Sequence, residues 1–381
     1  MLYTRLRETF KSVFGKEGVL YTAPGSLILL GEQADELKGY ALAGAVERVT
    51  AAVVRENQTD IARIYYLDTD ELDEVSSSSP PSKPWSMSLY GVMSMLKQRG
   101  FPLKGFDAVV GGLIPNQVCF FGYSALTTLG CLVLNDINQL GFSRFDMVKL
   151  ALEAVVKASG QPVSVVHPFV SLFGKADHLV RVNTHTLEYE YIPLTANDLN
   201  LLLLEVPRPS TTYLAEKNHF AGLCKEAKPI LIQHYPALTK LADLTFDQLE
   251  AVSDDFPPHI LAACRYAWHE YNVTQWACVA LMSNDRVRFG EALNAMQLAL
   301  FDYQTNPLEE MTFLLAAAKE ANILGAKALG MGQAGCTLNL IEEKDVQSFT
   351  ERVTSSYRRE FDKDLKVHRL HLVNGATKLP Y

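Results

Sequence analysis

The chain has 381 residues, of which 48% are hydrophobic and 20% charged, so it is long enough for two domains with separate apolar cores. Such a chain is expected to fold without a metal or a disulfide. Its formal net charge of -8 argues against a general affinity for nucleic acids or anionic membranes. A small neutral ligand or a protein partner is therefore expected.

The cysteines and the N-terminal residues indicate the cellular compartment. The six cysteines are scattered, mostly in apolar surroundings and without a Cys-x-x-Cys pair, which predicts buried and reduced thiols. The first residues have the pattern of an amphipathic helix rather than a signal peptide, and no later run approaches the roughly 20 apolar residues of a membrane span. We therefore expect a cytoplasmic protein.

The first half of the chain has the pattern of a mixed α+β domain. Apolar and β-branched runs bounded by turn residues predict strands, and a Ser/Pro-rich segment at 76–84 predicts an exposed loop. In chain order, the predicted elements are an N-terminal helix, strands at 17–33, 41–56 and 60–67, a helix from Trp85, a strand at 105–111, helices at about 121–139 and 144–158, and strands near 178–183 and 187–193.

The second half opens with a strand and then becomes mostly helical. The predicted elements are a strand at 201–206, helices at 211–233, 257–280, 286–302 and 307–322, a glycine-rich stretch at 325–335, a strand through Leu340, a helix near 343–359 and a last strand at 365–373. The pattern predicts two α+β domains, residues 1–195 and 196–381, with the cleft between them as the ligand site.

Five blocks of sequence, spread over nearly the whole chain, stand in a recognisable order. They are Phe14-Gly15 followed by Ala23-Pro24-Gly25-Ser26-Leu27-Ile28-Leu29-Leu30-Gly31-Glu32-Gln33-Ala34-Asp35, then Trp85 with Gly91-Val92, residues 115–126, residues 169–174 and the glycine-rich residues 325–336. They resemble galactokinases of the GHMP kinase superfamily, whose signature reads Ala-Pro-Gly-Arg-Val-Asn-Leu-Ile-Gly-Glu-His-Thr-Asp. The resemblance implies a ribosomal-protein-S5-like N-terminal domain, a C-terminal domain containing a ferredoxin-like fold, and a role in carbohydrate metabolism.

In that family a glycine-rich loop holds the nucleotide phosphates, because glycines let backbone N–H groups close on an anion at a helix N-terminus. The loop's two glycines and the serine triplet that faces magnesium fall here on Gln117, Cys119, Phe121, Gly122 and Tyr123. Ser124 is the small hydroxyl that remains nearby. Trp85 matches the residue that flanks the adenine, although an aromatic residue that opens an amphipathic helix is usually part of the core. The resemblance therefore implies a degenerate nucleotide site.

The charged residues that the family uses for phosphoryl transfer are replaced as well. The second magnesium ligand falls on Val155, whose alkyl group cannot coordinate a hard cation. The catalytic aspartate falls on His167 and the signature arginine on Ser26. Losing both together is physically coherent, because either charge left alone in a closed cleft would carry a large desolvation penalty. His167 could act as a general base, but we favour a hydrogen-bonded residue that lines a ligand cleft.

Part of the sugar site is retained. Glu32 and Asp35 match two family carboxylates that accept hydrogen bonds from sugar hydroxyls, a role that suits charged acceptors on a short turn. The departures from the family are Gln33 for a histidine, Ile28 for an asparagine, Ser164 for a glycine and Lys217 for a sugar-contacting tyrosine. A turn with two solvated acids is the simpler alternative, but the surrounding signature favours a sugar site made of Glu32, Asp35, His167 and Lys217. For the glycines at 325–335 we favour a role in turn geometry over nucleotide contact.

Three functions remain open. We expect a noncatalytic galactokinase-like protein, a pseudokinase that binds a sugar or related metabolite, needs no cofactor and acts as a sensor or as the regulator of a protein partner. The alternative is an active sugar 1-kinase that uses MgATP in a rearranged site, with His167, Ser124 and Asp35 in altered roles. A scaffold with a vestigial cleft is the third possibility.

Overall fold

The protein is built on two β-sheets, each packed against helices. The computed structural model describes residues 1–112, 122–160, 163–194, 199–206, 210–304 and 306–380. The strands are β1 (Val19–Leu30), β2 (Tyr40–Glu56), β3 (Ala62–Tyr66), β4 (Glu71–Val75), β5 (Phe106–Gly111), β6 (His178–Asn183), β7 (Tyr189–Pro193), β8 (Leu199–Glu205), β9 (Gly325–Ala328), β10 (Cys336–Glu342), β11 (Lys366–Leu370) and β12 (Thr377–Leu379).

The first sheet has the order β12-β1-β2-β5-β3-β4, and β6 extends from β2 to pair with β7. Its pairs are antiparallel except for β3 with β5, which is parallel. The second sheet has the order β11-β8-β10-β9, with antiparallel pairs throughout the described residues. The last strand, β12, pairs with β1, so the C-terminal end of the chain returns to the first sheet.

The helices cover both sheets. They are α1 (Leu2–Phe14), α2 (Ala34–Leu37), α3 (Met87–Gln98), α4 (Gly122–Ile137), α5 (Arg144–Ser159), α6 (Val166–Phe173), α7 (Ser210–His234), α8 (Phe246–Glu250), α9 (Pro258–Met282), α10 (Arg286–Tyr303), α11 (Glu309–Glu320) and α12 (Glu343–Phe361). Local sequence sets several of their ends: Ser143 and Asp146 form a capping box that starts α5, and Gly160 in the left-handed region ends it. No described helix is both long and apolar enough to cross a membrane.

The end of strand β1 lies between two apolar cores, which explains the unbroken apolar run at residues 27–30. Leu27 and Leu29 belong to the core that continues into the second sheet and its helices. Ile28, on the opposite face, belongs to the core under α3, α4, α5 and α6. Because successive side chains of a strand point to opposite faces, one strand contributes to both cores. The signature residues at the end of β1 are thereby held where the two halves meet.

The predicted α+β class is confirmed, and the longer predicted elements are present at nearly the predicted limits. The short elements α2, β4, β9 and β12 were not predicted, because three to five residues carry too little periodicity. Helix α6 was also missed: it has only eight residues, all of them buried, and periodicity in so short a segment does not separate a helix from a strand. The domain limits of 1–195 and 196–381 stay a prediction, and residues 195–198 lie outside the described residues.

The cysteine prediction holds in part. Cys131, Cys224, Cys264 and Cys278 are free, and burial raises the pKa of the Cys224, Cys264 and Cys278 thiols to about 12. The prediction of a reduced thiol is wrong for Cys336, which is disulfide-bonded.

Candidate functional site

A tight turn after β1 carries three of the polar residues that the sequence singles out. At Gly31 the backbone has a φ of 80°, and a Cβ there would lie 2.4 Å from the carbonyl oxygen of Tyr40, so this position requires glycine. The chain then enters the four-residue helix α2, which places Glu32, Gln33 and Asp35 within one turn. Local geometry therefore places these three side chains close together at the end of β1.

Glu32 joins the first sheet to the glycine-rich turn of the second. Its carboxylate accepts hydrogen bonds from the backbone N–H groups of Gly330 at 2.8 Å and Met331 at 3.2 Å. The Lys327 ammonium lies 3.5 Å from the same carboxylate, and both side chains are buried. The structure thus gives Glu32 a role in joining the two halves that the sequence analysis did not predict. Its role as a sugar acceptor stays a prediction.

The glycine-rich turn is shaped to hold an anion. Gly330, Met331 and Gly332 have φ values of 58°, 53° and 73°, and successive backbone N–H groups in such a conformation form an anion-binding concavity. Here the anion is the carboxylate of Glu32 from the same chain. These contacts support the interpretation that the glycines serve turn geometry rather than nucleotide contact.

The carboxyl group of Glu270 also contacts the turn after β1. Glu270 on α9 accepts hydrogen bonds from the backbone N–H groups of Glu32 at 3.0 Å and Gln33 at 2.9 Å. Burial, together with the neighbouring charge of Glu32, raises the pKa of Glu270 to about 8. Glu270 therefore retains its proton over much of the neutral range.

This proton predicts how stability depends on pH. Between the ordinary glutamate pKa of 4.5 and the folded value of about 8, the unfolded chain has lost a proton that the folded protein keeps. The free energy of unfolding therefore falls as pH rises through this window. We expect Glu270→Gln to reduce that fall between pH 5 and pH 8 by a few kcal/mol, since each pKa unit is worth about 1.4 kcal/mol.

Denaturant unfolding at several pH values measures this difference. The matched control is Glu250→Gln, because the hydrogen bonds from Arg265 lower the pKa of Glu250 and its contribution is lost towards low pH instead. Equal pH profiles for the parent and the Glu270→Gln variant would show that the Glu270 carboxyl does not retain its proton.

Ser26 and His167 form a buried pair. The Ser26 hydroxyl lies 2.9 Å from Nδ1 of His167, and each residue is only 1% exposed. Burial lowers the pKa of His167 well below its usual value, and the positive charge of Lys217 lowers it further. The imidazole is therefore neutral near pH 7. A base with so low a pKa accepts protons poorly, which weakens the general-base interpretation of His167.

Asp35 lies beside this pair. Its Oδ1 accepts a hydrogen bond at 3.2 Å from the backbone N–H of Val165, two residues before His167. Its Oδ2 is buried and has no hydrogen-bond partner among the described residues. Gln33 is fully buried, and its side-chain amide likewise has no partner within the described chain. Since buried polar groups in proteins are nearly always paired, these atoms are candidates for ligand contact.

The residues at the positions matched to the nucleotide and magnesium sites supply few side-chain groups that could bind either ligand. Gly122 and Tyr123 open α4, where Tyr123 is exposed, and Val155 is buried on α5. Within the described ranges, no group of three or more His, Cys, Asp or Glu side chains could hold a metal ion. These three residues do not fit a magnesium ion, because none supplies a carboxylate or a small hydroxyl. Gln117 and Cys119 lie outside the described residues.

Two further residues of the proposed nucleotide site are described. Trp85 donates a hydrogen bond from its indole N–H to Glu71 at 3.1 Å and packs against Tyr66, as a core aromatic would. Ser124 is 1% exposed, and its hydroxyl has no hydrogen-bond partner in the described parts of the chain. Of the two, only Ser124 has a polar group left for a ligand.

Known proteins are similar to this chain in sequence and in fold. The family model for the galactokinase galactose-binding signature matches residues 8–56. The galactokinase of Lactococcus lactis subsp. lactis is 26% identical over 98% of this chain and 96% of its own length. The crystal structure of Lactococcus lactis galactokinase complexed with galactose matches the whole of both chains with a TM-score of 0.91 at 25% identity. Over its whole length the chain is similar to galactokinases in sequence and in fold.

The galactokinase fold extends to more distant kinases. The crystal structure of Methanococcus jannaschii mevalonate kinase covers 94% of this chain with a TM-score of 0.64 at 12% identity, which indicates a shared fold. The predicted resemblance to galactokinases and the two-domain GHMP kinase fold are thus confirmed. The roles assigned to individual positions stay predictions.

Two residues that hold the turn at the site, Lys327 and Glu270, were not predicted. Lys327 lies in the glycine-rich block, where the galactokinase motif has an arginine, so a buried cation could have been inferred there. Glu270 lies in the middle of a long helix and belongs to none of the five blocks. No local signal in the sequence marks it.

Proposed function

We propose that this galactokinase-like chain binds a sugar or a closely related metabolite without efficient ATP-dependent phosphorylation, and acts as a sensor or regulator. The observation that carries the proposal is the Ser26–His167 pair. Two buried residues joined by a hydrogen bond of 2.9 Å occupy the positions matched to the family's arginine and catalytic aspartate.

The chemistry of phosphoryl transfer explains why this pair matters. The transition state carries negative charge that cations and magnesium stabilise, and a base must orient the attacking hydroxyl. A serine supplies no cation, and an imidazole with a strongly lowered pKa is a weak base. Val155 adds no ligand for magnesium. Each of these features supports binding without catalysis.

Polar side chains on the turn after β1 support the sugar-binding half of the proposal. Asp35 keeps a carboxylate oxygen without a partner among the described residues, and the amide of Gln33 can both donate and accept. Charged and amide acceptors of this kind suit sugar hydroxyls. The similar Lactococcus lactis galactokinase was crystallised with galactose.

Calorimetry and a phosphorylation assay test the proposal together. Hexoses are titrated into the purified protein, and transfer of labelled phosphate from MgATP to each sugar is then measured beside Lactococcus lactis galactokinase as the active reference. We expect heat of binding for a monosaccharide and no labelled product. Phosphorylation at a rate close to that of the reference enzyme would overturn the proposal.

One observation favours the alternative of an active sugar kinase. The hydroxyl of Ser124 is buried in the first turn of α4 and has no hydrogen-bond partner among the described residues. Such a hydroxyl is free to bind a ligand. In this reading Ser124 contacts MgATP, and His167 and Asp35 take altered roles. The same assay decides, because an active kinase would convert at least one sugar and Ser124→Ala would lower its rate.

A further inference from the structure

A cavity of about 140 Å³ is formed by α2, α7, α9 and the segment at 238–241. Its inner wall consists of the buried residues Leu37, Ala227, Leu231 and Cys264. Gln33, Asp35 and His167 do not line it, so the cavity is separate from the candidate sugar site. Apolar cavities of this size stay dry and bind small hydrocarbon groups. The inner wall therefore suits the apolar part of a small molecule.

The exposed part of the cavity lining is positively charged. Lys38, Lys228 and Lys240 contribute to the lining, and Glu36 is the one acid among the described lining residues. Lys240 pairs with Asp243 at 3.8 Å. The ammonium groups of Lys38 and Lys228 are exposed and make no hydrogen bond or ion pair within the described ranges of the chain. The opening thus carries excess positive charge on a protein whose net charge is -8.

The two cysteines of the lining add no charge. Cys224 on α7 is half-buried and Cys264 on α9 is buried, and both are free thiols. Burial raises the pKa of each thiol to about 12, so both are neutral at physiological pH. The cavity therefore combines an uncharged apolar interior with cations at its opening.

We propose that this cavity binds a small amphipathic anion, with its apolar body inside and its carboxylate or phosphate group at Lys38 and Lys228. Burial of the apolar body supplies affinity, because each methylene removed from water contributes favourably. The two ammonium groups form charge-assisted hydrogen bonds with the anionic end and fix its orientation. This site is distinct from the proposed sugar site and does not depend on the function proposed for it.

Calorimetry with the linear carboxylates from butanoate to decanoate tests the apolar half of the proposal. We expect affinity to rise about fourfold with each added methylene at first. The rise should stop within the series, because a cavity of about 140 Å³ holds a limited number of carbons. A rise that continues to decanoate would overturn the proposal, since adsorption on an open surface has no such limit.

Three probes with the same six-carbon chain test the anionic half. Hexanoate should bind at least about three times as tightly as 1-hexanol, and hexylamine should bind most weakly, because charge-assisted bonds require an anion at the lysines. Hexyl phosphate distinguishes a phosphate from a carboxylate, and the tighter of the two identifies the anion. Equal binding of hexylamine and hexanoate would contradict an anion site.

Substitutions locate the site. Ala227→Leu fills the cavity from α7 and should lower hexanoate affinity at least about tenfold, because no room remains for the chain. If that variant does not fold, Cys224→Phe at a half-buried wall position makes the same test. Lys38→Met with Lys228→Met should abolish the preference for hexanoate over hexanol. The matched control is Lys225→Met, an exposed lysine of α7 outside the cavity, which should change neither. Unchanged hexanoate affinity in a folded, filled variant would overturn the proposal.

Discussion

Replacing Glu32 with alanine is expected to lower the free energy of unfolding by about 3–5 kcal/mol, the range for a buried charge whose partner is removed. The substitution leaves the Lys327 ammonium, which is 3% exposed, without its carboxylate. It also leaves the N–H groups of Gly330 and Met331 without their acceptor. Because these partners lie on the second sheet's turn, the loss should loosen the contact between the two halves of the protein.

Denaturant unfolding measures the change in the free energy of unfolding, and two further variants test its cause. Glu36→Ala removes a carboxylate from the same turn, but Glu36 is exposed, so we expect a change of less than about 0.5 kcal/mol. Combining Glu32→Gln with Lys327→Met removes both charges together and should recover part of the loss. Equal losses for Glu32→Ala and Glu36→Ala would mean that the buried pair does not hold the turn.

Ser26→Arg is expected to be destabilising by a similar amount, about 3–5 kcal/mol, because it restores the family's cation without its partner. The guanidinium would enter a position that is 1% exposed, beside a neutral imidazole and near the ammonium of Lys217. Adding His167→Asp supplies the missing carboxylate. The double variant should therefore recover at least about 2 kcal/mol relative to Ser26→Arg, as coupled neighbours do.

A double-mutant cycle on the four proteins measures this coupling. The matched control adds His178→Asp, the same change of residue type on strand β6, to Ser26→Arg and should recover nothing. A strictly additive cycle would indicate that the two positions do not interact as a unit. The restored pair is not expected to create kinase activity, because Val155 still supplies no magnesium ligand.

Much of the fold could be predicted from the sequence, because its signals are local. The hydrophobic periodicity predicted the long helices α9 and α10, and the alternating or continuous apolar runs predicted β1 and β2. Order and spacing of the five blocks identified the family without any structure. The same resemblance predicts that Ser26, Val155 and His167 occupy charged positions of the family.

The elements that were missed are those without a local pattern. Helix α6 has only eight residues, all of them buried, and so short a segment does not show whether it is a helix or a strand. Strand β12 is three residues long. It lies at the C-terminal end of the chain and forms because it pairs with β1, which is distant in sequence. The conformation of such elements depends on the residues that pack around them. Periodicity in a single sequence does not show which residues those are.

The sequence by itself predicted the resemblance to galactokinases, the order of the long elements and the replacement of the charged phosphate-site residues. Only the tertiary structure decided what the remaining charges do. Glu32 meets Gly330 across 298 residues of chain and Glu270 approaches the same turn across 238. A pairing energy depends on distance and burial, which a sequence position does not contain. That is why Glu32 could be matched to a sugar site in sequence and yet join the two sheets in the fold.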